Sequence, residues 1–483
     1  MTNSIVGMSM LAVLLAGMAA APAGARTDLD RTKRPAGRPA SRIQLPEIQK
    51  ATLKNGLKVW LVEQHELPVV AMNLVIQAGA DHDPAGQPGI ASMAADLLDE
   101  GTKTRTTLQI SEEIDAIGAS FNTNAGVDAS FVTLSTLTKH LDKALSVFTD
   151  VVANPTFPGK EFLRLQKQRL TSLIQQRDQP PAIANNAFSF VLYGSEHPYG
   201  HNASGTESSV KAMTTADLQK FYTTYYRPNN ATLIVVGDVT LAMIVPKLNE
   251  DFANWAPAEV ASFSVPAPKA PDRMRVYLVD KPGAPQSEVR IGYPALARST
   301  PDYFPVSVMN RMLGGQFTSR VNLNLREKHG YTYGAFTSFR FQKGVGPFVA
   351  QGGIVTEKTD SSLIEFLAEL NLMREKGMSP EELAYAKKGM VGNFALAFET
   401  PAQIAGALQN IVLYGLPEDY YTNYLVNIEG VNLEGVQRVA KEYLDTSRMA
   451  VVVVGDLAKI KASVTALKLG DVVMCDPDGK PLP

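Results

Sequence analysis

The strongest constraint on the fold is a pair of matching segments, one near the end of each half of the chain. Residues 231–238 read ATLIVVGD and residues 449–456 read MAVVVVGD, and each follows a helix-like run, which reaches Tyr222 in the first half and Tyr443 in the second. Apolar runs rich in β-branched residues predict buried strands. The two strings lie at equivalent places in the two halves, which indicates a duplicated unit of roughly 200 residues, a common domain size. The alternative is two unrelated α/β domains that both end on a buried strand.

The chain length agrees with a multidomain protein. At 483 residues the chain is too long for a single hydrophobic core. A Pro- and Ala-rich stretch, residues 256–271, has linker composition and separates two nearly equal parts. We therefore predict a first domain over 47–255, a linker over 256–271, a second domain over 272–470 and a tail over 471–483.

Within each half, predicted strands alternate with long amphipathic segments. In the first half the clearest strands are Val69–Ile76 and Ser130–Leu137. In the second half the predicted strands are 275–279, 288–293, 334–341 and 348–354. This pattern predicts an α+β fold in which each domain is a sheet covered on one side by helices.

The N-terminal residues have the pattern of a secretory signal. The first 25 residues carry no charged side chain, with an apolar run from Ile5 to Ala20 and the small residues Ala23-Gly24-Ala25 before Arg26. We predict a signal peptide over 1–25, a flexible lead-in over 26–46, and a periplasmic or secreted mature chain without a membrane span. Because the segment before the apolar run has no Lys or Arg, an uncleaved anchor is the alternative.

Composition argues against several other classes of protein. The hydrophobic content is 45%, the charged content is 19% and the formal net charge is −2, so no strong positive field would attract nucleic acid. The only cysteine is Cys475, which excludes an intramolecular disulfide and a zinc cluster of thiolates from this chain.

One helical segment carries a recognisable family pattern. Residues 89–102, GIASMAADLLDEGT, place apolar residues on one helical face. The segment resembles the active-site helix of the inverzincins, the insulinase/pitrilysin-type metallopeptidases, whose pattern is G-x-A-H-x-x-E-H-x-x-x-x-G-T. In that family the two histidines bind zinc, and the glutamate between them activates the metal-bound water.

The aligned positions in this chain lack those side chains. Ser92 and Asp96 stand in place of the two histidines, and Ala95 stands in place of the glutamate. The resemblance implies a third ligand, a Glu, about 77 residues after the second histidine, and the count from Asp96 reaches Leu173. A hydroxyl is a poor zinc ligand, a methyl group accepts no proton, and one aspartate cannot hold the ion alone. We therefore predict no metal in this chain.

The other histidines offer no convincing replacement. Only His197 and His201, in the string HPYGH, have a ligand-like spacing. Pro198 and Gly200 between them favour a loop rather than the helix that this spacing requires. The family contains the same HPYG string as a structural segment, which favours a structural role here as well.

A second motif of the same family is intact. Residues 313–334, LGGQFTSRVNLNLREKHGYTYG, resemble the family's second-half motif, and Arg326 and Tyr333 match its paired Arg and Tyr. The resemblance implies that these side chains reach the zinc-bearing half, contact substrate and stabilise the tetrahedral intermediate. A guanidinium and a phenol are suitable donors for a developing oxyanion. From spacing alone, Arg326 would be a solvated helix-end cation and Tyr333 a half-buried strand residue.

The resemblance implies half of a clamshell-shaped peptidase chamber, in which each of the two homologous domains is itself internally duplicated. We expect a non-zinc-binding subunit of a heteromeric metallopeptidase that degrades or processes peptides, with zinc and its ligands supplied by a partner chain of the same family. This chain would not hydrolyse peptides alone. The rival hypothesis is a catalytically silent scaffold or binding protein of the same fold. Substrate preference and the choice between homodimer and heterodimer stay open.

Export gives a direct test of the N-terminal assignment. If the signal is cleaved after Ala25, sequencing of the mature protein from its native cell should begin at Arg26, and the protein should fractionate outside the cytoplasm. Cytosolic protein that retains Met1 would contradict the predicted localisation.

Overall fold

The computed structural model describes residues 47–483, so the predicted signal peptide and lead-in lie outside the described residues. Two six-stranded sheets with helices packed against them make up this part of the chain. The predicted α+β fold with two similar domains is therefore confirmed. None of the helices in residues 47–483 is both long enough and apolar enough to cross a lipid bilayer.

The helices and strands follow one another in a similar order in the two halves. The first half contains β1 (Gln49–Thr52), β2 (Lys58–Glu63), β3 (Val69–Ile76), α1 (Ile90–Asp96), α2 (Thr107–Ala116), β4 (Ser120–Ala125), β5 (Ser130–Leu137), α3 (Leu141–Ala153), α4 (Gly159–Gln176), α5 (Pro180–Tyr193), α6 (Glu207–Ala212), α7 (Thr215–Tyr225), β6 (Ala231–Gly237) and α8 (Leu241–Asp251). The second half contains β7 (Arg275–Asp280), β8 (Gln286–Leu296), α9 (Tyr303–Leu313), α10 (Arg320–Asn322), β9 (Thr332–Phe339), β10 (Gly346–Val355), α11 (Thr359–Lys376), α12 (Pro380–Phe394), α13 (Pro401–Tyr414), α14 (Tyr420–Gly430), α15 (Leu433–Tyr443), β11 (Ala450–Gly455), α16 (Leu457–Ala466) and β12 (Asp471–Cys475). A π-helical segment, Leu323–Lys328, follows α10 directly.

The two sheets share one topology over five of their strands. The first sheet has the order β1-β2-β6-β3-β5-β4 and the second has the order β12-β7-β11-β8-β10-β9. The strand pairs β2–β6 and β7–β11 are parallel, and the pairs that follow them toward β4 and β9 are antiparallel in both sheets. The repeated VVGD strands, β6 and β11, occupy the same place in each sheet. The duplication predicted from those strings is therefore present in the topology.

The outer strand next to β7 corrects the predicted end of the second domain. Residues 471–483 were expected to form a tail, but β12 pairs in parallel with β7 along Asp471–Cys475. The DVVMC sequence is short and half-buried, which weakens its strand signal in the sequence. The second domain therefore extends past residue 470.

The helix in the degenerate motif is shorter than the predicted segment. Helix α1 ends at Asp96, and the backbone N–H of Leu98 donates to the Ala95 carbonyl in a tightened turn. Gly101 has φ +143° and pairs with Thr106 in an isolated antiparallel β-bridge. The apolar side chains predicted on one face of the segment are all fully buried in the first core.

Each half sends one helix across to the sheet of the other half. Helix α13, from the second half, packs on β3 and β6, and α5, from the first half, packs on β8 and β11. Alternate residues of β6 explain this arrangement, because Leu233 and Val235 face the first core while Ile234 and Val236 face α13. The prediction of sheets covered on one side was therefore wrong. The continuous apolar runs in β6 and β11 are typical of strands buried on both faces.

The segment between the domains has no helix or strand but is held in place. His197 donates from Nε2 to the Pro266 carbonyl at 2.9 Å, and Asn229 donates to the Ala258 carbonyl at 2.8 Å. Nearby, Tyr199 donates its hydroxyl to Asp128 at 2.6 Å and accepts the backbone N–H of Gly344 at 2.9 Å. The HPYG string therefore joins the two halves through buried hydrogen bonds.

Ile411 on α13 tests whether the crossing helix stabilises the first sheet. Ile411→Ala should lower the free energy of unfolding by about 2 to 5 kcal/mol, because the side chain is 2% exposed and leaves a cavity. The transition can be followed by tryptophan fluorescence, since Trp60 and Trp255, the only tryptophans, both precede the linker. Met243→Ala, which truncates an exposed side chain on α8, should change stability by no more than about 0.5 kcal/mol. An unchanged fluorescence transition in Ile411→Ala would contradict the role of α13.

Candidate functional site

The start of α1 is held by a half-buried carboxylate. Asp83 accepts the backbone N–H groups of Gly89 and Ala91 at 2.6 and 2.7 Å. Gly89 adopts φ +98°, a left-handed conformation that favours glycine, and thereby turns the chain into the helix. This arrangement fixes the helix that carries the degenerate metal-site positions.

An arginine occupies the degenerate metal site. Arg169, on α4, donates from Nη2 to Ser92 Oγ at 3.1 Å and forms an ion pair with Asp96 through the same nitrogen. Its Nη1 donates to the Ser204 carbonyl at 2.8 Å. A guanidinium cation therefore joins two of the positions where the family pattern places zinc ligands.

The two remaining positions are apolar and buried. Ala95 is fully buried in α1, and Leu173 is buried on α4 one turn beyond Arg169. Neither side chain can donate electrons to a metal or accept a proton. The structure thus brings Ser92 and Asp96 together through Arg169, while Leu173 contributes only to packing.

These residues do not fit zinc. A zinc site needs several electron-pair donors around the ion, but the Arg169 cation lies against both Asp96 and Ser92 and would repel a divalent cation there. Burial raises the pKa of Asp96, and the Arg169 charge opposes that rise. Across residues 47–483, no group of three or more His, Cys, Asp or Glu side chains is placed to hold a metal ion.

The two histidines of the HPYGH string are not arranged to bind a metal together. His197 Nδ1 accepts the backbone N–H of Tyr199 at 3.0 Å, while Nε2 donates to Pro266, so neither nitrogen has a lone pair left for a metal. Burial lowers the pKa values of His197 and His201, which favours their neutral forms. Residues 198–200 form a single turn of 3₁₀-helix, and the expected loop is present.

A β-bulge turns Tyr333 outward in the second half. On the strand pair β9–β10, Thr332 pairs with Ile354 and Ala335 pairs with Gly352, so Tyr333 and Gly334 together face Gly353. The Thr332 hydroxyl donates to the Gly353 carbonyl at 2.7 Å and accepts the Gly334 N–H at 3.0 Å. The bulge places Tyr333 and Phe336 on the outward face of an edge strand.

The side chains of Tyr333 and Arg326 are both accessible. Tyr333 is 89% exposed, so the interpretation from spacing alone, a half-buried strand residue, is wrong because Tyr333 lies at the bulge of an edge strand. Arg326 lies in the π-helical segment with its guanidinium carbon 4.5 Å from the centre of the Phe317 ring and its Nε 3.5 Å from Glu327. No hydrogen bond or ion pair within the described residues joins either side chain to the Arg169 cluster.

Buried polar contacts hold the backbone around this pair. The side chain of Asn322, which is fully buried, donates to the Phe317 carbonyl at 2.7 Å and accepts the Ala335 N–H at 3.1 Å. The Tyr331 N–H donates to the Leu325 carbonyl at 2.9 Å, which closes the turn between the two residues. The accessible side chains therefore project from a rigid support, as preorganised donors require.

Sequence reasoning missed Arg169 and Phe317. Arg169 precedes Leu173 by four residues on α4, and residues four apart share a helix face. A cation one turn before the third-ligand position was therefore a usable signal. Phe317 had no such signal, because its contact with Arg326 depends on the turn between α9 and α10.

Two family models match the chain. "Insulinase (Peptidase family M16)" covers residues 58–192, and "Peptidase M16 inactive domain" covers residues 212–390. Together these matches cover more than half of the chain. They lie on either side of the HPYGH segment.

Relatives include proteins named as peptidases and one named as a non-peptidase. "Zinc protease PqqE" of Helicobacter pylori is 25% identical over 421 residues, with coverage of 84% of this chain and 93% of the relative. "Non-peptidase homolog YmxG" of the same organism is 24% identical over 429 residues, with coverage of 88% and 97%. The crystal structure of a peptidase M16 inactive domain from Pseudomonas fluorescens has a TM-score of 0.79 and 27% identity, with coverage of 84% of this chain and 98% of that chain.

The Arg169 ion pair gives a stability prediction. Arg169→Ala should lower the free energy of unfolding by about 1 to 3 kcal/mol, because it leaves Asp96 and the Ser204 carbonyl without their donor. Arg177→Ala removes a more exposed arginine from the end of the same helix and should change stability by less than about 1 kcal/mol. Denaturant titration of both variants measures the difference, and equal effects would contradict a specific role for Arg169.

Proposed function

Because the chain belongs to the insulinase family of peptidases, family M16, we propose that it is the non-zinc-binding subunit of a heteromeric zinc peptidase. A partner of the same family would supply the metal, its ligands and the general base. This chain would supply Arg326, Tyr333 and part of the wall that confines a peptide.

The observation that carries this proposal is the contrast between the two motifs. At the metal position, Arg169 has closed the site with an internal ion pair. At the second motif, the bulge leaves Tyr333 almost fully exposed without a side-chain partner among the described residues. Packing within this chain does not explain an outward-facing tyrosine on an edge strand, whereas contact with another molecule does.

The surroundings of Tyr333 also suit a peptide. Three large apolar side chains that are more than 40% exposed lie in the turn before α10, in the π-helical segment and on β9: Phe317, Leu323 and Phe336. Strand β9 is an edge strand, and its outer backbone groups can pair with an extended chain. Apolar contacts would hold side chains while backbone hydrogen bonds would supply affinity independent of sequence.

The chemical role of the pair follows from its donors. The Tyr333 hydroxyl can donate one hydrogen bond to a carbonyl oxygen as negative charge develops on it. The Arg326 guanidinium can donate several hydrogen bonds. We assign Tyr333 to transition-state stabilisation, and Arg326 to both substrate binding and charge stabilisation.

Partner pairing and export belong to the same proposal. Helicobacter pylori has one relative named as a zinc protease and another named as a non-peptidase, which is the combination that a two-chain peptidase requires. The apolar run from Ile5 to Ala20 supports assembly outside the cytoplasm. Co-purification from the native cell with a chain that contains an intact H-x-x-E-H helix would identify the partner.

Tyr333→Phe tests the catalytic role in the reconstituted complex. The substitution keeps the ring, so assembly should be unchanged while kcat on a quenched fluorescent peptide falls about a hundredfold to a thousandfold. Arg326→Ala should lower kcat and also raise KM, because its donors contact the peptide before reaction. Tyr385→Phe is the matched control, since that hydroxyl already contacts Thr318 at 3.1 Å within the chain.

The rival hypothesis predicts a different result. If this chain is a catalytically silent scaffold, Tyr333→Phe and Arg326→Ala complexes will assemble and retain full turnover. Metal analysis of the separated chains provides an independent check, because zinc should remain with the partner. Stoichiometric zinc on this chain would contradict the proposal directly.

A further inference from the structure

A cavity lies in the second half of the chain. It has a volume of about 460 Å³ and lies among α9, α12, α13 and α14. Most of its lining residues are aromatic, and we call it the aromatic cavity; its lining includes Tyr303, Phe341, Phe394, Tyr414, Tyr420 and Tyr424. This volume is within the range of about 300 to 1,000 Å³ that is usual for small-molecule sites.

One buried guanidinium lines this cavity without an acidic partner. Arg298 is 8% exposed, and its guanidinium carbon lies 3.7 Å from the centre of the Tyr303 ring and 4.9 Å from that of Tyr420. Within residues 47–483 its side chain forms no ion pair or side-chain hydrogen bond. Cation–π contacts orient the group but do not neutralise its charge.

The guanidinium of Arg311 also lines the cavity, and it lies against Gly389 on α12. Arg311 Nε is buried and has no hydrogen-bond partner among the described residues. A Cβ atom added to Gly389 would lie 2.6 Å from Arg311 Nη2, so the absence of a side chain at Gly389 makes room for the guanidinium. The cavity lining contains no Asp or Glu.

The polar groups favour a carboxylate. Two guanidiniums in a cavity without internal counter-charge favour an anionic ligand, since burial of an unpaired cation is costly. The planar guanidinium fork matches a carboxylate in geometry. Asn393 and Asn410 add amide donors, and the buried Tyr420 hydroxyl has no partner among the described residues.

The walls restrict the rest of the ligand. An inorganic anion would leave the tyrosine and phenylalanine rings uncovered, whereas an aromatic or branched apolar group would bury them. We propose that the aromatic cavity binds the carboxylate of an organic acid with an aromatic or apolar body. The C-terminal residue of a peptide and a free aromatic acid share this chemistry.

Binding to the full chain in the absence of any partner tests the inference. N-acetyl-phenylalanine is the probe, and isothermal titration should give a Kd of about 1 mM or tighter. The neutral N-acetyl-phenylalaninamide should bind at least about tenfold more weakly, because it lacks the charge that the arginines recognise. Inorganic phosphate should also bind more weakly, since it does not cover the rings.

Variants locate the site. Arg311→Gln and Gly389→Ala should each weaken binding of the acid about tenfold or more, the latter by displacing the Arg311 guanidinium. Arg448→Gln removes an arginine that pairs with Asp445 outside the cavity and should bind as the wild type does. Arg298→Gln also removes the contact with Tyr303, so the first two variants decide the question if that variant does not fold.

Each result has a defined meaning. Equal binding of the acid and its amide, no acid binding at about 10 mM, phosphate binding as tight as that of the acid, or full binding by Arg311→Gln would overturn the inference. Tighter binding of a peptide with a free C-terminal Phe than of the probe would identify a peptide source, and equal binding would favour a free acid. Because no partner or peptidase activity is involved, failure here leaves the Tyr333 test unaffected.

Discussion

The structure depends on the exchange of two helices between the halves. Helices α5 and α13 each cover the sheet face that the other half cannot cover by itself, and they bury apolar side chains such as Phe188 and Ile411. Each fully buried side chain of this size contributes about 1.5 to 3 kcal/mol through removal of apolar surface from water. The exchange therefore fixes the relative positions of the two sheets, and the Tyr199–Asp128–Gly344 hydrogen bonds add directional contacts at the same junction.

An arginine ties α1 to α4 at the positions where the family motif places zinc ligands. A metal would tie α1 to α4 through several ligands, and here Arg169 ties the same helices through Ser92 and Asp96. The replacement keeps a positive charge beside Asp96 but has no open coordination position and no acceptor for the proton of a water molecule.

In the second motif the polar contacts support the backbone and leave the side-chain donors accessible. Asn322 and Thr332 use their hydrogen bonds to hold the turn and the bulge. Tyr333 and Arg326 then project from a surface with exposed apolar side chains. The aromatic cavity differs from this surface, since Arg298 is buried there and faces tyrosine rings. The chain therefore has two regions suited to contact with other molecules, and they differ in exposure and chemistry.

The sequence by itself determined the duplicated α+β fold, strands such as Val69–Ile76 and Ser130–Leu137, and the absence of His and Glu side chains at positions 92, 95 and 96. These features follow from the types of residue present and from their spacing over short stretches of the chain. Only the tertiary structure decided that α5 and α13 cross between the halves, that Arg169 bridges Ser92 and Asp96, and that a bulge exposes Tyr333. The physical reason is that helix exchange, ion pairing and strand register depend on packing between segments far apart in the sequence.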